Sequence, residues 1–405
     1  MKKIRFGVNY IPSKNWLHNW INWDAESAEK DLVSIKSLGI DHIRAHLMWN
    51  YFQIDAMVMS SACLEHLNEF CDICERLELD YCITLFNGFV SGQYFYPAWL
   101  QYYTGASGKG MFHNERVMKA QEFYIRSIAN VIGNRPHFLG FDLGNELPLI
   151  AVSDNTVTQK QCDEWNCRML SVCEEVMPGK LHNNGADGMP WFAGWGFSMG
   201  NLANSGAITV LHCYARFTQA LDRFGINSVE SIHLADFMMQ IAKAFSCDLN
   251  RKIWIQEFGT ADSSFDDEMQ NFIIKSMHSM YNEENLWGIT WWCSHNVSSE
   301  FKCFDELEYK LGLFDNDNKI TPSGELFKKL IDDYKNSEHK IPKRKKAIIF
   351  NPYDENGNIT IENTWKYGQR YSEMIRKGEY VALVLPEKAT DSVYLKQRGI
   401  EEIIE

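Results

Sequence analysis

No run in this chain approaches the roughly 18–20 consecutive apolar residues of a membrane-spanning helix, so no membrane partner is expected. Positive charge is in deficit: 40 Lys and Arg stand against 53 Asp and Glu, a formal net charge of −13. A polyanion partner needs a basic surface that displaces counterions, which excludes nucleic acid and favours a neutral ligand. The opening MKKIRFGVNY runs straight into a strand-like segment, with no apolar h-region and no small-residue cleavage site. No secretory signal is therefore expected. The 11 cysteines are an odd number scattered through apparent helices and strands. Together with the missing signal, that reads as reduced thiols and a cytoplasmic location. Cys71 and Cys74 form a lone C-x-x-C inside the helical pattern LNEFCDICERL, and no second pair completes the four ligands of a structural zinc site. Neither a metal nor a cofactor is expected. Internal repeats and low-complexity tracts are also missing.

What is present fits a soluble enzyme. The apolar fraction is 45% and the charged fraction 23%, both ordinary for a globular chain. A length of 405 residues admits one domain of about 250–350 residues plus a small appendage. The 13 Trp and 17 Tyr are less ordinary. Core packing accounts for many of them, while rings near predicted loops could stack on the flat face of a ligand.

Strand-like and helix-like runs alternate along the first four-fifths of the chain. Strands are expected at residues 4–9, 42–46, 80–86, 138–143, 208–212, 253–256 and 286–292, with a weak one at 181–183. Helices are expected at 24–38, 60–77, 115–132, 159–177, 228–245, 266–281 and 321–335. Asp24 suits an N-cap and Gly39 a helix stop. Eight strands, mostly each followed by a helix, close most naturally as a (β/α)8 TIM barrel spanning residues 1–336. The fifth unit is the exception, with a Gly-rich stretch where its helix should stand.

The basic run SEHKIPKRKK reads as a solvated linker, residues 337–346. Beyond it, residues 347–405 read as a small β-α-β-α appendage. Such a unit buries little core alone, so it should pack on the barrel or on another subunit, the latter giving a homo-oligomer.

Two of the expected strands end in glutamate: FLGFDLGNE closes on Asn145-Glu146, and KIWIQEFG carries Glu257. They are the fourth and seventh strands, and active sites of this fold lie at the C-terminal strand ends. Paired carboxylates across such a mouth are the equipment for glycoside cleavage. Retention of configuration needs them about 5–5.5 Å apart, one protonated and one ionised, and two such neighbours push their protonation states apart. Glu146 is assigned as acid/base because Asn145 beside it can bond a sugar 2-hydroxyl; Glu257 is assigned as nucleophile. Asn145, His212 and the Trp291-Trp292 pair fall on the same rim.

LGNE at 143–146, IQEFG at 255–259 and GITWW at 288–292 resemble the clan A retaining glycoside hydrolases, specifically family 5. Longer segments resemble subfamily 18 of that family: GVNYIPS, DHIRAHLMWNYFQ, LWGITWWCSHNVS and ELEYKLGLFDNDNKITPSG. The likeness covers roughly residues 1–335. It implies an exo-acting retaining β-mannosidase that cleaves a small oligosaccharide, mannosyl-β-1,4-N-acetylglucosamine from N-glycan cores. It also implies that Arg44 braces the nucleophile, that His212 lies near it, that Tyr214 hydrogen-bonds it, and that a tryptophan of the eighth strand lies under the sugar. Trp291 and Trp292 alternate in facing, so either could be that residue. Asn87 stands where many family 5 enzymes carry a histidine, which implies altered recognition of the non-reducing sugar. Trp16, His18, Trp20, Trp49, Trp99 and His295 lie in or near rim loops and could close the cleft into a pocket. The competing readings are an endo-β-1,4-mannanase with an open cleft, a β-galactosidase-like clan A hydrolase, and a sugar-binding protein on an inactive barrel.

Overall fold

A computed structural model describes residues 4–105, 109–260 and 265–404. Seven parallel strands form one curled sheet: β1 (Arg5–Tyr10), β2 (His42–His46), β3 (Asp80–Thr84), β4 (Phe138–Asp142), β5 (Thr209–His212), β6 (Ile253–Phe258) and β7 (Leu286–Trp291). Their spatial order is β4-β3-β2-β1-β7-β6-β5. The chain is thus a (β/α)8 barrel whose fifth position lies between the sheet edges β4 and β5.

Residues 181–183 fill that position without a regular strand. Toward β4, the Leu181 N–H donates to Leu139 O at 2.7 Å and the Asn183 N–H to Phe141 O at 2.9 Å. Toward β5 the Ala207 N–H donates to His182 O at 2.8 Å. Glycines make the close approach feasible: a Cβ on Gly140 would stand 2.6 Å from the Leu181 carbonyl carbon, and one on Gly206 2.5 Å from His182 O. The weakness of this strand in the sequence is therefore real, and a short extended segment closes the barrel.

The helices obey their capping signals. Asp24 accepts from the Ser27 N–H at the head of α1 (Ala25–Ser37), and Ser60 from the Cys63 N–H at the head of α2 (Ser61–Arg76). Helix α3 spans Glu115–Ile132, and α4 (Gln159–Val176) begins with a reciprocal Thr158–Gln161 capping box. The helix expected at 228–245 is broken at His233 into a single turn, Val229–Ile232, and α5 (Leu234–Phe245). Two further helices, α6 (Asp267–Met280) and α7 (Pro322–Lys335), complete the outer ring. Cys71 and Cys74 are buried on α2, where they pack as small apolar groups.

The C-terminal region forms a second parallel sheet of β8 (Lys346–Ile349), β9 (Val381–Val384) and β10 (Glu402–Ile404), in the order β9-β8-β10. Strand β10 is an addition to the expected elements; three residues carry no readable periodicity. Helix α8 (Ile361–Arg376) docks on the barrel through Trp365, buried among Phe192, Phe224 and Phe237. Its indole N–H donates to Thr218 O at 2.7 Å. The run expected to be a solvated linker is only partly so. Lys340, Lys343 and Lys345 are exposed, but Arg344 inserts beside the buried Asp236 of α5 and donates to Val381 O at 2.8 Å. Tyr371 OH donates to the other oxygen of Asp236 at 2.6 Å.

Removing one partner of a buried ion pair strands the other in low dielectric. Arg344→Ala is expected to cost about 3–5 kcal/mol in urea unfolding, whereas Lys343→Ala should stay within about 0.5 kcal/mol. Equal costs for the two variants would contradict this reading of the run.

Candidate active site

Arg44, at the centre of β2, is fully buried and points into the barrel. An unpaired guanidinium there would be prohibitively costly, and the surrounding strands supply its acceptors. Its Nε donates to Asp142 Oδ2 on β4 at 2.7 Å, and its Nη1 to Asn9 Oδ1 on β1 at 3.1 Å and to Glu257 Oε1 on β6 at 2.8 Å. The second oxygen of Glu257 accepts from Tyr214 OH at 3.0 Å. Both carboxylate oxygens of Glu257 therefore face donors, and one donor is a full cation.

Glu146 follows β4 in the left-handed region, at φ 51° and ψ 44°, an uncommon conformation for a side-chain-bearing residue. Its N–H donates to Gly185 O at 2.9 Å. Gly185 must lack a side chain, because a Cβ would fall 1.9 Å from Gly144 O. The polar contact of the Glu146 carboxyl is His212 Nδ1 at 3.0 Å. Glu146, His212 and Glu257 each place a ligating atom within 4.8 Å of the other two.

This difference in surroundings separates the two glutamates. Burial raises both. At Glu257 the Arg44 guanidinium and the Tyr214 hydroxyl oppose it. At Glu146 only Arg44 does, and its carboxyl is pushed up to about 7. Glu146 is the group poised to hold a proton near neutrality, and Glu257 is the group with the donors to stay charged. The same three side chains are the one cluster among the described residues with metal-ligand geometry. Arg44 and Tyr214 already occupy the oxygens of Glu257, and a guanidinium 2.8 Å away repels a cation, so the donor set suits proton transfer better than metal binding.

The other residues singled out in the sequence divide into two groups. Asn87 and Asn145 are buried on the rim, each with a side-chain oxygen that has no partner among the described residues. In Asn145 the amide N–H donates to Phe89 O at 3.1 Å, so the carbonyl oxygen, and not the amide expected to bond the 2-hydroxyl, is free for a ligand. Trp292 lies edge-on to His46 at 5.6 Å, inside the mouth. Trp291 faces the opposite way, between Phe258 and Phe327 of α7, and is core. Trp49 is core too: its indole N–H donates to Gln53 Oε1 at 2.6 Å and its ring packs on Phe86 and Trp99. His295 is a buried pin whose nitrogens meet Ile11 O, Ser294 Oγ and Asn318 Oδ1. Strand alternation and loop packing thus remove Trp291, Trp49 and His295 from the site.

The structure adds two residues. His46 is buried at the end of β2, and among the described residues neither ring nitrogen has a hydrogen-bond partner. Burial, then Arg44 and His212, hold it well below the usual imidazole range, hence neutral. Alternation was the available signal, since His46 follows Arg44 by two residues on the same strand. Asp187 lies beyond the fifth position; its Oδ1 accepts from the Met189 N–H at 2.7 Å while Oδ2 is buried without a partner among the described residues. Burial and the two glutamates push its carboxyl well up. No periodicity in NNGADGMP points to it.

Loops after β1, β3 and β7 meet over one side of the mouth. Trp16 contacts Phe95 and Phe304, with ring centres at 5.6 and 4.8 Å, and His18 contacts Phe301 at 5.5 Å. Ser91 Oγ donates to Glu308 Oε2 at 2.9 Å, and Gln93 Nε2 to Cys303 O at 2.7 Å. Trp20 and Trp99 are buried, their indole N–H groups donating to His46 O at 2.7 Å and Gln53 O at 3.0 Å.

The raised carboxyl of Glu146 has a cost in stability. Between the ordinary value of 4.5 and about 7, the folded chain keeps a proton that the unfolded chain has released, so stability falls as pH rises through that window. Glu146→Gln cannot ionise and is expected to unfold at a higher temperature than the parent at about pH 8, the gain fading toward pH 4.5. A gain of equal size at both ends would contradict the assignment.

No protein-family model matches this chain, and no curated protein matches it. Solved structures do. A subfamily 18 family 5 glycoside hydrolase from Streptomyces cattleya, in complex with GlcNAc, is 28% identical, with TM-score 0.92, over 100% of this chain and 98% of that one. A glutamate-to-alanine variant from the same organism, in complex with Manβ1-4GlcNAc, gives the same identity and TM-score over 99% and 98%. A corresponding complex from Bifidobacterium longum subsp. longum is 28% identical, with TM-score 0.88, over 99% and 96%. Strand-end motifs, barrel and paired carboxylates mark this chain as a glycoside hydrolase, and along its full length it is similar to the subfamily 18 enzymes of family 5.

Proposed function

We propose that this chain is a retaining exo-β-mannosidase that hydrolyses mannosyl-β-1,4-N-acetylglucosamine derived from N-glycan cores. The observation that carries the retaining reading is spacing: an oxygen of Glu146 and one of Glu257 lie within 4.8 Å. Direct nucleophilic attack uses carboxyls about 5–5.5 Å apart, whereas a water-mediated inversion needs about 6.5–9.5 Å. The choice of sugar follows the ligands of the similar structures, Manβ1-4GlcNAc and GlcNAc.

In the first step a Glu257 oxygen attacks the anomeric carbon, and Glu146 gives its proton to the departing glycosidic oxygen. The aglycone leaves with that proton. Arg44 and Tyr214 each donate to one oxygen of Glu257 and so fix the orientation of its carboxylate. In the second step the Glu146 carboxylate takes a proton from water as the water oxygen attacks the same carbon, which frees Glu257 and restores the acid. His46, Asn87 and Asn145 offer buried polar atoms to the sugar hydroxyls, and Trp292 offers a ring face. The wall built from Trp16, Phe95 and Phe304 supports exo action, because it closes the mouth on one side.

Glu257→Ala and Glu146→Ala are each expected to lose nearly all hydrolysis of an aryl β-mannoside; wild-type turnover in the Glu257 variant would overturn the assignment. The pH profile of kcat/KM should be bell-shaped, its falling limb near the value of about 7 held by Glu146. A time course on mannosyl-N-acetylglucosamine and on mannotriose should release mannose as the first small product. Mixed oligosaccharides early in digestion would favour the endo-mannanase reading, and preference for an aryl β-galactoside would favour a β-galactosidase.

A further inference from the structure

We propose that Asn183 and Gln256 are positioning residues that fix His212 in the tautomer protonated at Nε2, turning its Nδ1 lone pair toward Glu146 so that Glu146 rests in its acid form. The proposal deepens the acid/base reading of Glu146 and rests on it.

The relay starts at a backbone atom whose role is fixed. Leu181 O can only accept, and it lies 3.2 Å from Asn183 Nδ2. That contact orients the Asn183 amide, which leaves Oδ1 as an acceptor for Gln256 Nε2 at 3.0 Å. Gln256 is thereby oriented in turn, with Oε1 toward His212 Nε2 at 3.2 Å. An amide oxygen there demands a proton on Nε2. Reversing His212 would require Gln256 to flip, then Asn183, and would set two carbonyl oxygens face to face at the Leu181 end. Asn183, Gln256 and His212 are all buried, so water cannot repair the mismatch. The backbone of Gln256 is also held, its carbonyl accepting from Asn9 Nδ2 at 3.1 Å.

His212 is neutral at rest: burial, helped by Arg44, outweighs the charge of Glu257, whose Oε1 lies 3.4 Å from Nδ1, farther than the Glu146 oxygen. A neutral ring protonated at Nε2 has only a lone pair at Nδ1. Glu146 Oε1 stands 3.0 Å from that lone pair, and a good hydrogen bond there requires the carboxylic acid O–H. A Glu146 carboxylate would meet lone pair against lone pair. Other charged groups act on the pair without entering the relay. Arg44 and Glu257 face both residues, and Asp142 and His46 bear on His212. Asp187 and Glu308 bear on Glu146 from the fifth position and from the loop after β7. None of these contacts changes when the amides of Asn183 or Gln256 are removed. The extended fifth segment thus gains a chemical role, since it delivers the carbonyl from which the protonation state of the acid is set.

The test reads the tautomer directly. In 15N spectra of the full chain labelled at histidine, the His212 signals, identified by their loss in His212→Gln, should show the proton on Nε2 in the parent. In Asn183→Ala and in the near-isosteric Gln256→Met the tautomer should shift toward Nδ1–H. The falling limb of kcat/KM should then move to lower pH by about one unit, a loss of about tenfold at about pH 8, with the rate at low pH largely kept. Asn183→Asp retains an acceptor for Gln256, so its limb should not move downward. A parent His212 protonated at Nδ1 would overturn the proposal. So would Asn183→Ala and Gln256→Met variants that lose rate uniformly with the parental limb, which is the signature of a packing role. The spectra need no substrate, so a failed relay and a failed acid assignment are told apart: Glu146→Ala tests the latter alone.

Discussion

A single buried cation organises the mouth of this barrel. Arg44 cannot stay in the interior unless acceptors surround it, and β1, β4 and β6 each send one: Asn9, Asp142 and Glu257. The requirement works in both directions. Three strands are held in register around the guanidinium, and each oxygen of the Glu257 carboxylate is held by a donor. Its cost in desolvation is offset only by this full set of partners. The geometry of the site and the register of these strands therefore share one set of contacts.

The second constraint is that two carboxyls a few ångströms apart must not behave alike. The fold separates them by what surrounds each one. Glu257 receives Arg44 and Tyr214; Glu146 receives burial and an imidazole nitrogen. Burial alone would raise both, and the donors at Glu257 break the symmetry. The C-terminal unit bears on this arrangement from outside, since Trp365 bonds Thr218 O while Thr218 N–H bonds Tyr214 O at 3.2 Å. The loop that presents Tyr214 to Glu257 is thus pinned by the appended helix.

Much of this was legible in the sequence. Apolar runs ending in N-E and Q-E placed Glu146 and Glu257 on strand ends, because strand period and strand termination are local properties. Arg44 was reached through the family resemblance, with the apolar residues around it supporting a buried role. His46 could have been read by extending that alternation two residues, from Arg44 along HIRAH. Burial in loops was not legible. Trp49 and His295 stand in rim segments but turn inward onto Gln53 and Asn318, choices made by tertiary packing. The Trp291-Trp292 pair exposed the limit of alternation, which separates two faces without saying which is inside. Asp187 and Asn183 follow an irregular fifth segment, where no period exists to carry a prediction.

The most direct measurement is the configuration of mannose at the moment it is released, followed by proton NMR in the first minutes of hydrolysis of an aryl β-mannoside. Glu257 as nucleophile with Glu146 as acid and then base predicts β-mannose first, with the α-anomer appearing only as mutarotation proceeds. Release of α-mannose at the outset would mean single-step inversion, and would contradict the roles given to the two glutamates.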